Sequence, residues 1–313
     1  MKIDKRQKVS IGIPTYNRCN LLGDAINSAL KQTYKNIEII VFDNDSTDDT
    51  DQIIFSFEDS RLFYFRNDKN IGMVGNWNSC LEKATGEFFL LLSDDDILEE
   101  YAIEILIAGF IDDTISLSYG GVSFIDENNF PLELNNLSAP EIESGRNLVL
   151  NILKYKRAVY PSASLIRTST AKKMGGYPNI GSATDFALIG TLVKDSNVYY
   201  TNKKIVKYRI HKKSESFSNK ALQSQLELVE WATREGCPLK EFKNQLYGYC
   251  KNAVFKLGRY HALRGHKSEL NTALHILKKI SNNFYLRYLL MLYNLNIIRK
   301  LNYLRKYFCL SEK

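Results

Sequence analysis

Residues 86–98 read Gly86-Glu-Phe-Phe-Leu-Leu-Leu-Ser-Asp94-Asp-Asp96-Ile-Leu98, an apolar run that stops on three successive carboxylates. Apolar residues from Phe88 to Leu92, bounded by Gly on one side and a polar cluster on the other, read as a central strand of a parallel sheet, because both faces of such a strand are covered. The acids therefore stand at its carboxyl end, where open α/β sheets place their ligands. Adjacent carboxylates repel one another unless solvent or a cation neutralises them. Oxygen-only ligands on a short loop suit Mg²⁺ or Mn²⁺ better than zinc. The stretch points to a divalent metal site that grips a diphosphate. The alternative is an acidic helix start, with Asp96 near the N-cap and Glu99 and Glu100 complementing the helix dipole.

Upstream, the chain alternates strands with helices. Val9-Ser-Ile-Gly-Ile-Pro14 is a strand stopped by proline, Thr15-Tyr-Asn-Arg18 is a polar turn, and Leu21, Leu22, Ala25, Ile26, Ala29 and Leu30 have helical spacing. Ile37-Glu-Ile-Ile-Val-Phe-Asp43 is a second strand ending on a carboxylate. A polar loop and an amphipathic helix through Ile53, Ile54 and Phe57 follow, and Ser46 with Asp49 predicts its N-cap. A third strand over 62–66 leads into Asn70-Ile-Gly-Met-Val-Gly-Asn-Trp-Asn78 and a helix to about Ala84. This order predicts right-handed crossovers and a mostly parallel, Rossmann-like sheet that brings Asp43 and the 94–96 cluster to one edge.

Downstream, 116–125 alternates as a strand, Tyr160-Pro-Ser-Ala-Ser-Leu-Ile-Arg167 is a small-residue strand, and a helix ends at Gly175-Gly-Tyr177. Asp185 opens another helix; 199–201 and 205–210 read as two short closing strands leading to His211. The pattern turns almost wholly helical after Phe217, which divides the chain into 1–216 and 217–313. Residues 282–308 interleave Phe and Tyr with Arg and Lys, as a helix lying in an anionic lipid interface does, although a helix packed on the body of the protein has the same pattern.

The length of 313 residues and 44% hydrophobic content fit one large domain with an appendage, or two domains. With no run of about eighteen apolar residues and no apolar core near Met1, neither a spanning helix nor a secretory signal is expected. A cytoplasmic protein is expected, with 282–308 as its candidate contact to the inner membrane face. The cysteines Cys19, Cys80, Cys237, Cys250 and Cys309 are scattered and lack C-x-x-C spacing, which argues against disulfides and zinc. The net charge of +7 is modest, no nucleic-acid recognition module is present, and a homo-oligomer is compatible with the chain.

Taken in order, Val9-Ser-Ile-Gly-Ile-Pro-Thr-Tyr-Asn-Arg18, Ile40-Val-Phe-Asp-Asn-Asp-Ser-Thr-Asp48, Asn70-Ile-Gly72, Leu92-Ser-Asp-Asp-Asp-Ile97 and Gly175-Gly-Tyr177 with Thr184-Asp185 resemble the family 2 glycosyltransferases of the GT-A fold. The resemblance spans 9–211 and leaves the last hundred or so residues uncovered. It implies an inverting, metal-dependent transferase that moves a sugar from a nucleotide-diphospho-sugar, typically a UDP-sugar, to a glycan or lipid-linked acceptor in cell-surface polysaccharide assembly. Carried over to this chain, it assigns Pro14, Thr15, Tyr16, Asn17 and Arg18 to the nucleotide cradle, together with Gly72. Asp43 is assigned to the uracil-type base, Asp94 to the ribose, Asp95 to Mn²⁺ or Mg²⁺, Asp185 to the general base, and His211 to the metal or diphosphate. The family often writes its acidic motif Asp-x-Asp-Asp. Ser93 holds the first position here, which leaves Asp96 as the competitor of Asp95 for the metal. Residues 39–47 also fit the D-x-D-x-T signature of haloacid-dehalogenase-like phosphatases, with Asp43 as nucleophile and Asp45 as acid, although a complete strand and helix precede it. A non-catalytic sugar-nucleotide binder is the third reading.

Overall fold

The computed structural model describes residues 7–133, 139–211, 219–280 and 289–294. It has two compact units, Met1–Asn179 with Thr184–Lys213, and Ile180–Ala183 with Ser214–Lys313. The expected boundary at 216/217 falls outside the described residues.

In the first unit β1 (Val9–Thr15), α1 (Cys19–Leu30), β2 (Ile37–Asp43), α2 (Thr50–Phe55), β3 (Leu62–Arg66), α3 (Gly72–Lys83) and β4 (Phe88–Leu91) follow the expected alternation. Then come β5 (Ile97–Leu98), α4 (Ala102–Ala108), β6 (Ile115–Ile125), β7 (Pro131–Leu132), β8 (Ile142–Ser144) and α5 (Gly145–Leu153). The unit closes with β9 (Ser164–Arg167), α6 (Thr168–Lys173), α7 (Thr184–Val193) and β10 (Asn197–Arg209). The sheet order is β3-β2-β1-β4-β9-β6-β10-β5, with β7 on β6 and β8 on β10. Every residue of β1 and β2 is buried, which is why these strands read as apolar runs rather than alternations. Val9, Ile11 and Ile13 share a core with Leu22 and Ile26 of α1 and Leu106 of α4. On the opposite face Gly12 permits close packing, since a Cβ there would stand 2.8 Å from the Cβ of Cys80 in α3.

The structure departs from the sequence expectation in several details. The sheet is mixed, because β9 runs antiparallel to both β4 and β6. The two closing strands are one strand, β10, whose register against β6 shifts near Thr201 and Lys204; these irregularities break the sequence pattern in the middle. Residues Pro161–Ala163 form a 3₁₀ turn ahead of β9, a place where the missing N–H of Pro161 costs no ladder bond. Asp49, not Ser46, precedes α2, and Ser46 Oγ instead accepts the Asn17 backbone N–H at 2.9 Å. The acidic helix start fails too, since β5 lies between Asp96 and α4.

What matters for function is the row formed where the parallel strands end. Thr15 of β1 pairs in register with Asp43 of β2, and Asp43 with Arg66 of β3, so three polar side chains stand abreast at the carboxyl edge.

In the second unit, α8 (Asn219–Thr233), α9 (Lys243–Arg264) and α10 (Lys267–Ile280) bury Leu222, Leu226, Val254, Leu270, Ile276 and Leu277 together. Gly265, at φ 73°, ends α9 in the left-handed conformation that only glycine adopts freely. No described helix is long and apolar enough to cross a membrane. Most of 282–308 lies outside the described residues; within it Leu289 is buried in this helical core.

Candidate active site

Two loops leave the carboxyl edge and clasp each other. Asn17, at φ 52°, and Asp45, at φ 66°, both hold left-handed backbone that side-chain-bearing residues seldom adopt, a form of strain that concentrates at functional sites. Asn17 Oδ1 accepts the Thr47 backbone N–H at 2.8 Å, and Asp48 accepts that of Cys19 at 3.0 Å. A third loop joins through Asn44, whose side chain reaches Asn70, Gly72 O and the Ile71 N–H. Asn76 of α3 donates to Phe42 O at 2.8 Å. The cradle residues Pro14, Thr15, Tyr16, Asn17 and Arg18 therefore lie on a braced shelf, with the Tyr16 ring 44% exposed above it.

Asp43 is fully buried. One oxygen accepts the Ser46 N–H at 2.8 Å, and the other faces the Tyr64 hydroxyl at 3.1 Å and Arg66 at 3.2 Å. A carboxylate so enclosed cannot attack a phosphate ester, which removes the phosphatase reading of Asp43 and Asp45. Arg66, which also pairs with Asp45 at 3.0 Å, is the exposed member of this end of the site.

The three acids after β4 have separate environments. Asp94 Oδ2 accepts from Thr15 Oγ1 at 2.8 Å; burial and the neighbouring Asp95 charge raise its carboxyl well above the ordinary range. Asp96 is 1% exposed and spends both oxygens on structure, one on the Ser162 hydroxyl at 2.6 Å and one on the Arg209 backbone N–H at 2.9 Å. Burial and Asp95 raise it as well. Burial pushes Asp95 upward too, but His211 and the charge of Arg18 outweigh it and hold Asp95 below the ordinary value. Asp95 is thus the acid of the three that stays ionised most readily.

Around Asp95 three groups converge. Arg18 Nη1 lies 2.5 Å from Asp95 Oδ2 and 3.1 Å from His211 Nε2, and His211 Nε2 lies 2.9 Å from the same Oδ2. One imidazole nitrogen cannot both donate to Oδ2 and accept from Nη1, so one edge of this triangle is electrostatically unsatisfied. A cation between Oδ2 and Nε2 would satisfy it. Their separation matches the ~3.0 Å edge of an octahedron with bonds of ~2.1 Å. Among the described residues no three His, Cys, Asp or Glu gather as a complete metal cage. A carboxylate and an imidazole with the remaining positions open suit Mn²⁺ or Mg²⁺ held jointly with phosphate oxygens and water, so the residues fit the ion.

Arg209, which the sequence reading passed over beside His211, braces this loop from below. Its side chain is 1% exposed. Nε donates to Asp95 O at 2.7 Å and Nη1 to Asn129 Oδ1 at 2.6 Å, while Nη2 stands 3.5 Å from Asp24 of α1. Ser162 was likewise missed; its contact with Asp96 spans 66 positions, and no local pattern announces it.

Asp185 lies in the first turn of α7, half-buried, and burial raises its carboxyl to about 6. Burial raises the phenol of Tyr208, and the charges of Asp96 and Asp95, with a smaller part from Asp185, raise it further. Tyr177 of the Gly-Gly-Tyr motif feels Asp185 as well and is clamped by Asn78 of α3, which donates to Tyr177 O at 2.9 Å and accepts its N–H at 2.8 Å. Gly176, at φ 73°, makes the clamp possible, because a Cβ would fall 2.3 Å from Asn78 Oδ1.

The model of the family described as Glycosyl transferase family 2 matches residues 10–174. An uncharacterized glycosyltransferase of Rickettsia typhi is 31% identical over 207 residues, 65% of this chain and 64% of that protein, so the match spans slightly under two thirds of that relative. The Escherichia coli UDP-Glc:alpha-D-GlcNAc-diphosphoundecaprenol beta-1,3-glucosyltransferase WfgD is 30% identical over 214 residues, 68% of this chain and 80% of that protein. Staphylococcus aureus TarS 1–349 in complex with UDP superposes with a TM-score of 0.62 at 18% identity, covering 86% of this chain and 81% of that one. At that identity the likeness speaks for the fold, a GT-A fold. With the ordered motifs, the family model over more than half the chain and the WfgD match all in agreement, this protein belongs to glycosyl transferase family 2.

Proposed function

We propose that this protein transfers a sugar from a UDP-sugar to a lipid-linked saccharide, with inversion at the anomeric carbon and with Mn²⁺ or Mg²⁺ at Asp95 and His211. The observation that carries the reading is the meeting of Arg18, Asp95 and His211 beside a braced nucleotide shelf. The name of WfgD supplies the donor and acceptor classes. Family membership and the location of the acids supply the rest.

In this reading Pro14 to Arg18 and Gly72 line the nucleotide, Arg66 held by Asp43 meets the base, and Asp94 faces the ribose. Asp96 is committed to Ser162 and Arg209, so the metal register falls on Asp95. The ion, when bound, neutralises charge developing on the departing diphosphate. Asp185 takes the proton of the acceptor hydroxyl as its oxygen attacks from the face opposite the leaving group. A carboxylate raised to about 6 is ionised at neutral pH yet more basic than an ordinary aspartate. No covalent sugar intermediate is needed.

The test is to incubate the full chain with Mn²⁺, a panel of UDP-sugars and an undecaprenyl-diphosphate-linked N-acetylhexosamine, following UDP release and the product anomer by NMR. A product inverted relative to the donor supports the reading. A retained anomer overturns the mechanism, and nucleotide binding without transfer or donor hydrolysis favours the non-catalytic binder.

A further inference from the structure

We propose that Arg18 acts as a placeholder for the metal, holding the cation position on Asp95 until the nucleotide arrives, so that metal and diphosphate bind together and neither binds well alone. This rests on the reading of Asp95 and His211 as the metal position. Arg18 precedes α1 as its N-cap residue, directly after Asn17 with its left-handed backbone, so the placement of its side chain is set by the cradle itself. Its Nη1 makes the 2.5 Å contact to Asp95 Oδ2 and lies 3.8 Å from Asp94 Oδ1. The side chain is 26% exposed against 12% and 17% for the two acids, so the guanidinium is the member of the cluster with room to leave.

The physical consequence is a competition. A divalent ion that uses Asp95 Oδ2 must displace a planar cation already paired with that oxygen, and close approach of the two positive charges is unfavourable. A diphosphate changes the balance. It offers oxygens that a guanidinium binds in bidentate fashion, and α1 presents the positive end of its dipole close by. Arg18 then moves from carboxylate to phosphate, and the vacated Oδ2 and Nε2 take the ion. Each ligand removes the obstacle to the other, and by reciprocity the enhancement is the same in both directions.

The experiment measures Mn²⁺ binding to the full-length apo protein by electron paramagnetic resonance, with and without UDP, for wild type, Arg18→Gln, Arg18→Lys and Asp95→Asn. Circular dichroism establishes that each variant is folded. Arg18→Gln is expected to bind Mn²⁺ about tenfold more tightly than wild type in the absence of UDP, and to gain less Mn²⁺ affinity when UDP is added. Arg18→Lys, which keeps the charge, should stay near wild type without UDP. Unchanged or weaker Mn²⁺ binding by Arg18→Gln, together with loss of binding in Asp95→Asn, overturns the placeholder role and leaves the metal position standing. Wild-type Mn²⁺ binding by Asp95→Asn overturns the metal position itself. Should Arg18→Gln fail to fold, Arg18→Met, which likewise removes the charge, carries the same expectation, and unchanged or weaker UDP-free Mn²⁺ binding by it overturns the placeholder role.

Discussion

Asp185→Asn, measured alongside the pH dependence of wild type, tests the base directly. The carboxyl of Asp185 is raised from an ordinary 3.8 to about 6 by burial, and only its ionised form accepts a proton. At saturating donor and acceptor, kcat should therefore fall about tenfold per pH unit below pH ~6. At pH 5 about a tenth of the plateau rate remains, whereas a base with an ordinary aspartate pKa would retain about nine tenths. The two cases differ nearly tenfold at a single pH. Asp94 and Asp96 are also raised, so UDP affinity is followed across the same range and the limb is read in kcat, which reports the bound complex. Asp185→Asn removes the acceptor of the proton and should lower kcat by about 10²–10⁴ while leaving UDP affinity within about twofold. A wild-type kcat that stays flat down to pH 5, or an Asp185→Asn protein within tenfold of wild type, refutes the assignment.

Three further outcomes are expected. Asp43→Asn keeps the volume but loses the charge that holds Arg66, and should weaken UDP binding about tenfold by calorimetry with Mn²⁺ affinity unchanged; equal UDP affinity would remove the Asp43–Arg66 pair from base recognition. Glu38 lies buried near the opposite end of β2, away from the site. Burial pushes its carboxyl up, but bonds from Lys8, Ser10 and Thr85 outweigh this and hold it at about 2 rather than 4.5. Its stabilisation, on the order of 3 kcal/mol by the relation between pKa shift and free energy, is complete above pH ~4.5 and lost as pH falls toward 2. Glu38→Gln should thus lower unfolding free energy at pH 7 by about 2–3 kcal/mol in urea titrations, with a smaller deficit at pH 3; an equal deficit at both would place the effect elsewhere. Gly176→Ala forces a side chain into left-handed backbone against Asn78, and should cost about 2 kcal/mol or more by the same titration.

The first half of the fold was legible because its strands are buried on both faces and its helices carry one apolar stripe, so local sequence reports the local environment. Strand direction is different. Nothing in Ser164-Leu-Ile-Arg167 encodes that β9 runs against its neighbours, since pairing direction is decided by how the chain returns to the sheet. The irregular register of β10 erased the periodicity that would have marked one long strand. In the site, the acids were readable as a cluster at the carboxyl edge of the sheet, and the ordered motifs located them. Their different fates were not. Asp96 turned inward and Asp95 outward because Ser162 and the Arg209 backbone, 66 and 113 positions along the chain, claim one of the two. Asp43 looked like an open acceptor, and Tyr64 and Arg66 on the next strand enclose it.

The Arg209 brace has a bearing on how the protein comes into being. While the chain is being synthesised, the segment that ends in the acidic loop leaves the ribosome more than a hundred residues ahead of the guanidinium and backbone amide that secure it. Until β10 arrives, that nascent half lacks His211 and the two bonds that Arg209 makes to the acidic loop. Cleavage or premature termination between the acidic loop and residue 209 should therefore yield a fragment that has its early strands and helices but lacks an organised pocket, and an expression screen that scores only solubility would count such a fragment as success.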